Sequence, residues 1–142
     1  MQKLCTSLIL TATLLAGFGC GSDKKNKRSP HEETGLNLTS QDNKIKGRFN
    51  WTEGPKARDY NNKARVVLDQ ALKSKAKLVA VKPWMRVHNH GTDTSKLDFK
   101  ENSEGQWDIS GLYFSMSGEW EITLVFEIEG DEDEVLIKFD VP

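Results

Sequence analysis

From Trp120 to Ile128 the chain reads Trp-Glu-Ile-Thr-Leu-Val-Phe-Glu-Ile, an apolar residue at every second position. Successive side chains of a strand point to opposite faces, so Trp120, Ile122, Leu124, Phe126 and Ile128 line one face, and that face has to be core. After the turn Gly130-Asp131-Glu132-Asp133 the alternation resumes, with Val135, Ile137, Phe139 and Val141 inward and Lys138 and Asp140 outward. Two such runs joined by a polar turn predict a hairpin. A hairpin with one apolar face is stable only against a second layer, which the rest of the chain must supply.

Further strands are legible upstream. Gln106 to Ser110 carries Trp107 and Ile109, and Lys96 to Lys100 carries Leu97 and Phe99, with Asn102-Ser103-Glu104-Gly105 turning between them. Lys77 to Lys82 holds Leu78, Val79, Ala80 and Val81 and stops at Pro83; Ile45 to Trp51 alternates Ile45, Gly47, Phe49 and Trp51. Ala64 to Leu72 also fits a helical stripe, but adjacent Val66 and Val67 favour a strand followed by a turn. About seven short strands in roughly a hundred residues predict an all-β, immunoglobulin-like antiparallel sandwich, strands A to G in chain order, over residues 44–142.

The first nineteen residues carry one charge, Lys3, and an apolar run through Leu14-Leu15-Ala16-Gly17-Phe18-Gly19 that ends at Cys20. The run is too short to span a bilayer and has the form of an export signal. It resembles a bacterial lipoprotein signal, which implies acylation of Cys20 and a lipid anchor on the periplasmic face of a membrane. Gly17 stands where that family usually has Leu, and secretion after a cut near Ala16 or Gly17 is the alternative. Residues 20–43 are polar, with Pro30 and few apolar partners, and are expected to form a flexible tether. Lys24-Lys25-Asn26-Lys27-Arg28 suits anionic lipid or plain solvent, and His31 is a stray imidazole on the tether.

The only cysteines are Cys5 and Cys20, so the expected domain holds no thiol, which excludes thiolate catalysis and cysteine-based zinc sites. Without Lys3 the twenty Lys and Arg fall to nineteen against twenty-one acids, a net charge near minus two, and nothing points to nucleic acid. No nucleophile elbow, phosphate loop or zinc-protease helix is present, and the chain is not expected to be an enzyme. Asp131 to Glu134 lacks the alternating pattern of a calcium loop and reads as a solvated turn.

Two stretches concentrate the chemistry: Trp84-Met85-Arg86-Val87-His88-Asn89-His90-Gly91 and Phe114-Ser115-Met116-Ser117-Gly118-Glu119-Trp120. In an antiparallel sandwich alternate connections emerge at the same end. The connection after strand C and the one before strand F therefore meet, joined by the loop from Thr52 to Asn62, with the acidic turn at the far end. A thioether is soft and neutral and favours Cu(I), while imidazole accepts Cu(I), Cu(II) or zinc. His88 and His90 point the same way in an extended segment, whereas Met85 has opposite parity and needs a bend to join them. His88, His90, Met85 and Met116 are thus candidate metal ligands, with Trp84 or Trp120 over the ion. For Met116 and Trp120 core packing is favoured over a place at the metal.

The run Met85 to Gly91, followed by Phe114-x-Met116-x-Gly118-x-Trp120, resembles the YtkA-like domain, over roughly Ile45 to Pro142. The resemblance implies a small exported module with links to copper handling and envelope redox assembly. Arg86 stands where that family often has Pro. A different class of function uses the same loops as a non-catalytic interaction module, with Trp84 and Arg86 presented to another envelope protein on a rigid scaffold.

Overall fold

The computed structural model describes residues 35–142, and every regular element among them is a strand. The expected signal, Cys20 and most of the tether, with His31, lie outside the described residues. Nine strands form: β1 (Leu36–Thr39), β2 (Lys46–Glu53), β3 (Asn62–Leu68), β4 (Ala76–Met85), β5 (His90–Gly91), β6 (Asp98–Glu101), β7 (Trp107–Leu112), β8 (Gly118–Ile128) and β9 (Asp131–Val141). They make two antiparallel sheets, in the orders β1-β2-β3-β7-β6 and β5-β4-β8-β9. Taking β2, β3, β4, β6, β7, β8 and β9 as A to G, the sheets read A-B-E-D and C-F-G, the immunoglobulin-like order.

Two strands exceed the seven expected. β1 lies within the stretch read as tether; only Leu38 turns inward, and a four-residue edge strand with one buried side chain leaves no alternation to detect. β5 is two residues long, too short for any period. Ala64 to Leu68 is strand, followed by turns to Lys75. The acidic turn is tighter than expected: Glu129 and Gly130, both at positive φ, form the whole connection, and strand resumes at Asp131.

One core fills the space between the sheets. Phe49, Val66, Ile109 and Leu112 from one sheet meet Leu78, Trp120, Ile122, Leu124, Phe126 and Val135 from the other, all buried. The registers Pro83↔Ile122↔Ile137 and Val81↔Leu124↔Val135 carry the inward rows across the second sheet. At its β2, β8 and β9 end the core is aromatic: Trp51 packs edge-on against Phe49, Phe114 and Phe139, and Phe114 packs against Trp120.

Candidate metal centre

The connections after β2, between β4 and β6, and between β7 and β8 gather at one pole. The Arg58 amide donates to the Phe114 carbonyl at 2.7 Å, and Tyr60 stacks on Tyr113 with ring centroids 4.3 Å apart. The Tyr60 hydroxyl donates to Asp93, and Lys96 lies 4.3 Å from the Tyr60 ring centre. At the opposite pole Lys73 reaches the Glu104 carbonyl. The extra strand β5 leaves this parity intact, because the chain crosses to the other sheet at the same pole after two residues.

Met85 and His90 are cross-strand partners in β4 and β5, and directly paired residues share a face. The hairpin between them, Arg86 to Asn89, is closed by the Asn89 amide on the Arg86 carbonyl at 3.1 Å, with Asn89 at φ 52°. This fold-back removes the parity conflict expected of an extended segment. Met85 is brought beside His90 by pairing, and His88 rides on the turn with its ring centroid 6.0 Å from that of His90. Imidazoles that share one ion through nitrogens at about 2.0 Å place their centroids roughly 5 to 6.4 Å apart. The His90 Nδ1 lies 2.6 Å from the Gly91 carbonyl oxygen. A carbonyl only accepts, so Nδ1 is the donor of this contact, and in the neutral ring Nε2 is then the nitrogen with the free lone pair.

The second stretch meets the first through Trp120. The His90 ring stands edge-on to Trp120 at 6.0 Å, and the buried Trp120 Nε1 donates to the Met116 carbonyl at 3.0 Å. A Cβ on Gly118 would sit 3.0 Å from the Met85 methyl carbon, so the bare backbone there makes room for the thioether. The two methionines reverse their expected roles. Met85 is 3% exposed and lies in the core wall, whereas Met116, favoured as a plug of the core, is 36% exposed with its backbone tied to Trp120. Trp120 is core, as its alternation requires. The Ser117 hydroxyl donates to the Pro142 carbonyl, which brings the end of β9 to the same pole.

Arg86 is not simply presented to solvent. Its Nε lies 3.0 Å from Glu121 Oε1, and Lys138 approaches the same oxygen at 3.5 Å; the Glu121 side chain is only 6% exposed although it sits on the outer sheet face. Trp84, on that face, is 42% exposed and packs along Gly91. A groove of about 540 Å³ runs from Arg86 and Glu121 past Thr123 and Leu136 to Asp42 and Glu132, apart from the imidazoles.

Among the described residues no three His, Cys, Asp or Glu side chains gather as a metal site. Sequence reasoning missed the lock formed by Tyr60, Asp93, Lys96 and Tyr113, whose members are far apart in the chain and follow no motif. The hydrogen bond to Asp93 pushes the Tyr60 pKa up to about 12 and, with the Ser95 amide, holds the Asp93 carboxyl below its usual range. The fold is an all-β, immunoglobulin-like sandwich with a candidate soft-donor cluster at one pole. No family model, curated protein or solved structure matches this chain.

Proposed function

We propose that this protein is a non-catalytic, exported module, held to a membrane through Cys20, that binds copper at the loop pole through His88 and His90 with thioether from Met85 and Met116. The observation that carries the proposal is the His90 geometry. Its Nδ1 proton is committed to the Gly91 carbonyl, an arrangement that orients an imidazole and leaves Nε2 as donor. A thioether stands on the neighbouring strand position and a second imidazole on the turn. Neutral nitrogen and sulfur donors without thiolate or carboxylate suit Cu(I) better than zinc or magnesium. The YtkA-like resemblance, carried by the two loop motifs, points to the same metal.

Titration of the chain with Cu(I) against a competing chelator tests the proposal. Replacing both His88 and His90 by Ala is expected to abolish competition, and replacing Met116 by Ala to weaken it. Affinity unchanged in the double histidine variant refutes it.

A further inference from the structure

We infer that Tyr60 is the positioning residue of the metal centre, fixing the loop that carries Met116 against the loop that carries His88 and His90. One side chain reaches both loops. The Tyr60 hydroxyl donates to Asp93, three residues after His90, and the Tyr60 ring stacks on Tyr113, three residues before Met116, with centroids 4.3 Å apart and planes at 20°. Asp93 is held from both oxygens, since Oδ2 takes the hydroxyl and Oδ1 accepts the Ser95 amide at 2.8 Å. Lys96 lies over the Tyr60 ring at 4.3 Å. The loop beneath Tyr60 is braced as well: Asp59 Oδ1 accepts the Asn61 amide at 2.8 Å, and Asn62 ties the Asp59 carbonyl to that of Leu112 at the end of β7.

Met116 lies on the crossing between the sheets, and its side chain is long and freely rotating, so its sulfur reaches a shared ion only where its backbone stays in place. Two side chains hold that backbone to the histidine loop. Trp120 does so from the core, touching His90 and donating to the Met116 carbonyl, and it is buried for the sake of the core in any case. Tyr60 does so from the surface. A hydrogen bond between exposed groups adds little to stability, so the worth of the Tyr60 bridge lies in where it sets the two loops. Groups that orient metal ligands from behind act in this way. The role at the metal rests on the copper reading; the coupling of the two loops does not.

The test compares the parent chain with Tyr60→Phe, which keeps the stack on Tyr113 and removes the bond to Asp93, and with Tyr60→Ala, which removes both. Tyr60→Phe is expected to weaken Cu(I) binding by about tenfold, and Tyr60→Ala by more. In either background Met116→Ala is expected to cost less than about twofold, against about tenfold in the parent, because a thioether already displaced has nothing left to lose. Both Tyr60 variants are also expected to lower the Cu(II)/Cu(I) potential, since sulfur favours the reduced ion, a change that a residue serving the fold alone would not produce. A metal-free readout stands beside these. Spin labels at Val87→Cys and Met116→Cys, in a chain with Cys5→Ser and Cys20→Ser, are expected to show one narrow separation with Tyr60 present and a broadened or displaced one in its variants. An unchanged separation overturns the inference, as does a Met116→Ala cost that is the same with and without Tyr60. A parent chain that fails to compete for copper refutes the metal reading alone, and the label separation then decides whether Tyr60 holds the loops together.

Discussion

Asn62 offers the sharpest test of how the loop pole is built. It is buried at the start of β3, and its amide serves four backbone groups: Oδ1 accepts from the Lys56 amide at 2.7 Å, and Nδ2 donates toward the carbonyls of Lys56, Asp59 and Leu112 at 2.9, 2.7 and 3.1 Å. One side chain therefore folds the loop after β2 onto itself and ties it to the end of β7. Asn62→Ala removes about three net hydrogen bonds at about 1 kcal/mol each and orphans a backbone amide at about 1 to 3 kcal/mol. The expected loss is about 4 to 6 kcal/mol, or at least roughly 15 °C in Tm for a domain of this size. Asn62→Asp matches the shape but turns a carboxylate oxygen toward carbonyls, so it is expected to cost more. Urea denaturation measures both, and amide exchange at Lys56 reports the loop directly. An Asn62→Ala variant within about 1 kcal/mol of the parent, or an Asp variant more stable than the Ala variant, refutes the account.

Glu121→Leu is expected to leave stability unchanged or raise it, since Arg86 and Lys138 are half exposed and return to water while the carboxylate's desolvation cost disappears; a loss above about 2 kcal/mol in denaturant melts contradicts this. Gly111 has φ 70° and an added Cβ would sit 1.8 Å from the Lys96 carbonyl oxygen, so Gly111→Ala is expected to cost about 3 kcal/mol by thermal melting. Asp108 is held below the usual carboxyl range by the Arg65 guanidinium at 2.6 Å, with Asn102 assisting. A lowered folded value means the ion pair's contribution is complete above the unfolded pKa of about 3.9 and disappears as pH falls through the folded value. Asp108→Asn is therefore expected to cost about 0.5 to 1 kcal/mol at neutral pH, discounted for exposure, and the deficit to shrink progressively as pH falls below the unfolded value; a deficit independent of pH contradicts it.

Alternation was the legible part of this chain. β8 and β9 announce themselves because each buries one whole face, and Trp120, Ile122, Leu124 and Phe126 are all core as their spacing requires. β1 escaped notice because Leu38 alone carries it, and β5 because two residues have no period. Strand parity was enough to place the histidine and methionine loops at one pole, since it depends only on the direction of the long strands. What parity could not supply was the hairpin that sets Met85 opposite His90, or which methionine faces water, since both depend on a turn whose αL residue, Asn89, carries no unambiguous mark. The Glu121 pairing was likewise hidden, because an acid at an outward strand position ordinarily reads as solvated.

The bond between the Ser117 hydroxyl and the Pro142 carbonyl has a practical corollary. Anything joined after Pro142 emerges at the pole that carries the imidazoles. A polyhistidine tag fused there would add nitrogen donors to the copper titration, so reporters belong at the opposite pole, for example in the turn between β6 and β7.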